Sequence, residues 1–292
     1  MNGEPLLDAE LLQLLHRLDI AMRRPASAGL RGERLSRRRG TGQEFLDRRA
    51  YVAGDDVRAV DWPLFARSER FFIRQFREEQ ARPVRFITDC SASMGFGQPA
   101  KLRKALQLTL ALAHIALTRG DAADIWLASA GPPSRLRETG RNAIFPLAQR
   151  LAQQQAAGIF RLDDCVRLIL AQPDPGPLFI LSDLLGVDSV EPPLRRLAGA
   201  GHHVVLIHTL AKEDVAPEPG GDWRLIDAET GATVEVSMTA EVIALYQQRL
   251  NSFLTRITAL CGQTGTPLAV AGPDQTLADV LFGQLVRAGV LA

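Results

Sequence analysis

The sequence is poor in lysine, cysteine and tyrosine, and it lacks a long apolar run. Of its 34 basic residues three are lysines (Lys101, Lys104 and Lys212), so arginine carries almost all the positive charge. Three cysteines in 292 residues (Cys90, Cys165 and Cys261), none at Cys-x-x-Cys spacing, exclude a disulfide framework and point to the reducing cytoplasm. The best apolar run, Leu106 to Leu117, is broken by Gln107 and His114 and is too short to span a bilayer. Glu4, Asp8 and Glu10 are unlike the basic opening of a secretory signal. A formal net charge of +1 excludes a coat for nucleic acid acting through its overall field.

Several chemical signatures are missing too. No Walker-type phosphate loop and no Gly-x-Ser-x-Gly elbow occurs. Gly95-x-Gly97-x-x-Ala100 matches a dinucleotide pattern loosely, but five residues separate it from Asp89 and it contains Pro99. It reads as a turn feeding a helix. His114 and the pair His202-His203 have no Cys or His at metal-ligand spacing. Arg23 to Arg39 holds seven arginines against Glu33, yet no aromatic is interleaved for base stacking. That stretch reads as a solvated face or a docking surface for an acidic partner.

What is present is an ordinary globular composition, 46% hydrophobic and 23% charged. Leu7, Leu11, Leu14, Leu15 and Leu18 predict an amphipathic helix over residues 6–22. Residues 43–69 are charge-dense and read as loops pinned by ion pairs, followed by an exposed strand over 70–76. Then strands and helices alternate. Strands are expected at 84–88, 123–129, 178–181, 204–209 and 267–271. Helices are expected at 100–118, 142–154, 162–170, 189–198, 240–260 and 277–286, with a hairpin at 223–236. Apolar strands separated by helices predict an α/β fold: a doubly wound, mostly parallel sheet. The expected division is an N-terminal extension over 1–82 and the α/β domain over 83–292.

The most informative run is Asp89-Cys90-Ser91-Ala92-Ser93, which ends the first apolar strand. Alternate residues of an extended crest face the same way, so Asp89, Ser91 and Ser93 can converge. One carboxylate with two hydroxyls suits a hard cation such as Mg²⁺ or Mn²⁺. Asp183, ending the strand Leu178 to Ser182, offers a second carboxylate at the same crevice if the two strands flank the topological switch point. The plainer reading is that Ser91 and Ser93 cap the following helix. Cys90 lies inside this run, but no His is adjacent to activate it.

Asp89-x-Ser91-x-Ser93 with Ser182-Asp183 resembles the metal-ion-dependent adhesion site of von Willebrand factor A domains. The upstream run resembles a narrower family, the DUF58 proteins. It reads Gly42-Gln43-Glu44-Phe45, then Arg49-x-Tyr51-x-x-Gly54-Asp55-Asp56-x-Arg58-x-x-Asp61-Trp62, then Ala66-Arg67, Arg74-x-Phe76 and Glu78-Glu79. Leu225-Ile226-Asp227-x-Glu229-Thr230-Gly231 is similar to that family as well. The resemblance implies a von Willebrand A-like fold of the Rossmann type. It also implies a bacterial protein acting beside a MoxR-type AAA+ ATPase on a client protein.

One departure stands out. The adhesion site has a Thr in a loop for which the comparable stretch here reads Ala157-Gly158-Ile159-Phe160-Arg161-Leu162, without a hydroxyl. This implies weaker metal binding, a water in place of the Thr, or a site kept as a shape.

Gly54, Asp55, Asp56, Arg58, Asp61, Trp62 and Arg67 could pair acid with base, but alternating acids and arginines around a Trp read better as a structural ion-pair network. The function implied by the resemblance is non-catalytic, an adaptor that binds a partner through the strand-end crevice, without nucleic-acid partners or membrane insertion. The alternative is a Mg²⁺-dependent phosphatase-like hydrolase using Asp89 as nucleophile with Asp183. For that chemistry the nearest phosphate-binding candidate, Lys101, falls beyond the first helical turn.

Overall fold

The computed structural model of the chain describes residues 5–21, 44–52, 55–68, 70–77, 82–185, 187, 189–218 and 220–292. The basic stretch from 23 to 39 and Gly54 lie outside the described residues. The chain divides into two compact units, one of residues 24–81 and one that joins residues 1–23 to 82–292.

The first helix, α1 (Ala9–Leu15), starts where the Asp8 side chain accepts the Leu11 N–H at 2.7 Å. It is shorter than the leucine spacing suggests. Beyond it the chain extends: Asp19 exchanges backbone hydrogen bonds with Ala292, and Ala21 N–H donates to Val290. Leu6, Leu7, Leu15 and Leu18 are buried in the main core. This segment therefore packs with the α/β domain rather than with the extension that the sequence grouped it with.

In the smaller unit, β1 (Glu44–Ala50) pairs antiparallel with β2 (Phe72–Arg77), and α2 (Trp62–Ser68) lies between them in sequence. The charge-dense segment is thus more regular than loops. Its alternation of acid, base and apolar residues hid the strand.

The larger unit continues with β3 (Pro83–Asp89), α3 (Lys101–Thr118), β4 (Ala122–Ala128), β5 (Ser134–Thr139), α4 (Ile144–Ala152) and α5 (Leu162–Leu170). Next come β6 (Pro177–Ser182), α6 (Glu191–Gly199), β7 (His203–Thr209) and the single turn α7 (Lys212–Val215). A hairpin, β8 (Asp222–Ile226) and β9 (Thr233–Ser237), leads to α8 (Ala240–Thr264), β10 (Leu268–Ala271) and a closing helix of π type, Asp279–Leu285. The main sheet runs in the order β10-β7-β6-β3-β4-β5, parallel except for β5.

Helices cover both faces. One core cluster packs α1, α3, α4 and the closing helix on the sheet, and a second packs α5, α6 and α8 on the other side. Burial on both faces explains why β3, β6 and β7 read as continuous apolar runs. β5 was not expected as a strand, because at the sheet edge its side chains are mostly exposed and Leu136 alone is buried.

At the opposite edge, the Gln284 side-chain amide both donates to and accepts from the Val270 backbone, at 2.8 Å each way. Across β3 and β4, Arg85 faces Asp124 in register, both buried, and Arg135 closes on Asp124 with bonds of 2.6 and 2.9 Å.

Candidate functional site

Because β3 feeds β4 on one side while β6 and β7 build out on the other, the sheet order reverses between β3 and β6. That is the switch point, where strand carboxyl ends open a crevice. Asp89 ends β3, and Asp183 follows β6 directly.

The structure brings Asp89, Ser91, Ser93 and Asp183 to this crest, each buried. Asp89 Oδ1 accepts the Ser91 N–H at 2.8 Å, and Asp89 Oδ2 accepts the Ser182 hydroxyl at 2.6 Å. Ser182 Oγ in turn accepts the Leu184 N–H at 2.8 Å, so one hydroxyl ties the two strand ends together. Leu184 is held at φ 58, a left-handed backbone that a branched side chain adopts at a cost. Burial drives the Asp89 carboxyl up to about 7, with the Asp183 charge adding to it, while the bonds from Ser182 and Ser91 act the other way.

The capping reading of the serines does not describe their hydroxyls. Ser91 precedes a short 3₁₀ turn, Ala92–Gly95, without capping it, and α3 begins at Lys101, after Ala100, with no side-chain cap. The Ser91 and Ser93 hydroxyls instead lie 3.0 Å apart, one on the other. The stretch around Ala157 runs alongside this crest: Ala157 N–H donates to Cys90 O, and Ala92 N–H to Gly158 O. It places a small-residue backbone, not a hydroxyl, next to the serines. Gly158 has φ +73, and a Cβ there would stand 2.4 Å from Ala130 Cα, so a side chain is excluded at that point.

Two residues complete the site that the sequence reading did not place there. Lys101 is the first residue of α3, not a residue beyond its first turn, and its ammonium is buried in the crevice. It donates to Asp183 Oδ2 at 2.7 Å and stands 3.2 Å from Asp214 Oδ2. Asp183 Oδ1 takes the Leu185 N–H at 3.0 Å. From the other side comes Glu229, on the turn between β8 and β9. Its carboxyl is raised by burial and by Asp183, and lowered by the Ser91 and Ser93 hydroxyls it meets. Its Oε1 is buried yet accepts no hydrogen bond. The Asp227-x-Glu229-Thr230-Gly231 pattern of a hairpin turn could have flagged it, but nothing in a sequence says where a hairpin tip lands.

The donor set fits a hard cation in chemistry: carboxylates and hydroxyls, with one buried carboxylate oxygen lacking a partner. Among the described residues no three His, Cys, Asp or Glu side chains form a ready-made metal centre, so hydroxyls would have to contribute. Lys101 already supplies a positive charge to Asp183. Cys90 is not a nucleophile in this state: its thiol, facing Thr88 O, is pushed up to about 12 by burial and the Asp89 charge.

The signature block upstream is built differently. Asp61 is buried and accepts Arg48 Nε at 2.7 Å and the Leu64 N–H at 3.2 Å, pairing with Arg48 and capping α2. Asp55 and Asp56 accept the backbone N–H groups of Val52 and Arg58. Trp62, Arg58 and Arg67 are exposed. The acids therefore serve the backbone as much as they serve ion pairs.

No helix of the described residues is long and apolar enough to cross a membrane. A family profile described as "Protein of unknown function DUF58" matches residues 47–252. The uncharacterized protein Rv1480 of Mycobacterium tuberculosis is 29% identical over 295 residues, covering 98% of this chain and 92% of that protein. The uncharacterized protein Mb1516 of Mycobacterium bovis matches equally. Among solved structures, the conserved hypothetical protein BatB from Bacteroides thetaiotaomicron aligns over 71% of this chain and 98% of its own, with 13% identity and a TM-score of 0.44. The SpRpn10 VWA domain aligns over 69% and 94%, with 13% identity and a TM-score of 0.39.

Proposed function

This chain belongs to the DUF58 family, and on that premise we propose that it is a non-catalytic interaction module whose strand-end crevice binds an acidic group of a partner protein. The observation that carries this reading is the convergence of Asp89, Ser91 and Ser93 with Asp183 at the switch point, with both serine hydroxyls free of capping duty.

In the fuller form of the proposal, Mg²⁺ or Mn²⁺ is held by Asp89, Ser91 and Ser93, with Asp183 alongside. Such an ion supplies a positive centre with open positions that a partner carboxylate can fill. Without a Thr hydroxyl near Ile159 and with Lys101 drawing on Asp183, the ion would be held weakly. The partner implied by the family resemblance is a MoxR-type AAA+ ATPase acting on a client protein. This chain's lack of a phosphate loop leaves any energy from ATP to that partner. Three free, buried thiols suit a reducing cytoplasm.

The test is a pull-down with the neighbouring ATPase, run with and without Mg²⁺ and repeated with Asp89→Ala. Capture that needs both the metal and Asp89 supports the whole reading. Calorimetry that finds no Mg²⁺ or Mn²⁺ binding at millimolar concentration removes the metal from it. Phosphate-ester turnover with Mg²⁺ that disappears in Asp89→Asn would replace the adaptor with a hydrolase.

A further inference from the structure

The hairpin of β8 and β9 is an unusual element of this fold. Every residue of β8 is exposed, and β9 is exposed at all but one position. Trp223, Leu225, Ile226 and Val234 stand open to solvent, so apolar burial contributes little to holding the hairpin in place. Its base follows Gly220 and Gly221, consecutive left-handed glycines at φ 96 and 83. They bond across the base to Met238, Gly220 N–H to Met238 O at 3.0 Å and Met238 N–H to Gly221 O at 2.9 Å.

Its tip, in contrast, is rigid. Asp227 accepts the N–H groups of Glu229 at 2.8 Å and Thr230 at 3.1 Å, Gly231 N–H donates back to Asp227 O, and Gly231 sits at φ +73. This turn fixes Glu229 and aims its carboxyl at Ser91 and Ser93, beside Asp183, with Oε1 buried and unpartnered. A loosely packed element with a firmly built acidic tip, lodged among the hydroxyls of the crest, is a ligand carried on an arm.

We propose that Glu229 is the crevice's own carboxylate ligand, occupying the place that an acidic side chain of the partner takes, so that partner binding exchanges one carboxylate for the other and releases the hairpin. This rests on the reading of the crevice as a carboxylate-binding site. It adds a mode of control. A partner must outcompete an intramolecular group, so binding is suppressed until the hairpin moves. The exposed apolar side chains of the hairpin move with it.

The experiment is hydrogen exchange on the full chain, comparing wild type, Glu229→Ala and the double variant Ser91→Ala/Ser93→Ala. Amides of residues 222–237 are read against those of β3 and β6. Freeing the tip from the two serines should speed exchange in the hairpin by about tenfold in both variants, with the sheet amides unchanged. Unchanged hairpin exchange in both variants overturns the proposal. Mn²⁺ calorimetry on the same proteins separates the two ideas. Faster hairpin exchange without any Mn²⁺ binding keeps Glu229 as the ligand and removes the metal. Equal Mn²⁺ binding in wild type and Glu229→Ala, with a hairpin that does not respond, keeps the metal and removes Glu229.

Discussion

Lys101 Nζ and Asp183 Oδ2 meet at 2.7 Å with about 1% of either side chain exposed, which makes them a buried ion pair at the mouth of the crevice. α3 and the end of β6 are thereby locked together. Removing one member of such a pair strands the other charge away from water. Lys101→Met should lower unfolding stability by about 3 kcal/mol, because Asp183 and Asp214 are then left facing each other. Urea titration measures it. Adding Asp183→Asn to that variant should recover part of the loss, and no recovery would show that the ammonium stabilises by packing rather than by charge.

At the opposite end of β3, Asp124 is fully buried between Arg85, 3.7 Å away, and the two-bond fork of Arg135. Arg85 also donates to the carbonyls of Pro173 and Asp174, so it cannot leave with its counter-ion. Asp124→Ala is expected to cost about 3 kcal/mol or more, seen as a lower thermal midpoint. Arg135→Ala should cost less, since the Arg135 side chain is 30% exposed. The reverse ranking would contradict this account.

His114 is buried in α3 with both ring nitrogens unpartnered, and its ring meets His16 edge-on at 4.9 Å. Burial lowers its pKa below 6.5, and His16 lowers it further. The unfolded chain therefore takes up the proton first as pH falls. Stability contributed by the neutral ring is complete above 6.5 and is lost on acidification below it. Between pH 5 and 8 this contribution rises with pH and levels off, while the Asp89 carboxyl, raised to about 7 by burial, adds a slope of opposite sign up to that pH. His114→Leu should gain about 1 kcal/mol by removing unpaired buried nitrogens and take away the rising share that belongs to His114, leaving that of His202 and His208, which burial lowers too. A slope identical in the variant would exclude His114 as its source.

In the smaller unit, Asp61 and Trp62 are adjacent but differ in burial, 3% against 55%. Asp61→Ala removes both the Arg48 bond and the cap of α2, an expected loss of about 1–2 kcal/mol. Trp62→Ala gives up an edge contact with Phe65 at 6.2 Å and should cost under about 0.5 kcal/mol. Protease susceptibility of residues 44–77 reports on both. If Trp62→Ala is the more damaging, this residue has a packing role that the structure does not display.

The parts of the fold that can be read from residues alone are those where burial on both faces leaves a continuous apolar run. The strands ending in Asp89 and Ser182, and the helix over 162–170, follow from that pattern, and the strand ends then locate the crevice. β5 and β1 escape it because edge strands with charged side chains carry no such run. Asp89, Ser91 and Ser93 are local in sequence, so alternation brings them together. Lys101 and Glu229 are not. Lys101 enters the site through the phase of a helix start, and Glu229 through the path of a hairpin 136 positions after Ser93. Spacing along the chain constrains neither.

The Gln284 amide lying along Val270 has one more effect. A sheet can recruit a strand from another molecule only where backbone groups are left unanswered at its border. On the β10 side a side chain already answers them, and on the β5 side Arg135, Arg137 and Glu138 would have to be brought against an incoming backbone. Growth by strand exchange, and the fibrous self-association it leads to, is discouraged at both borders. A second protein that meets the main sheet is therefore selected by the side chains it presents.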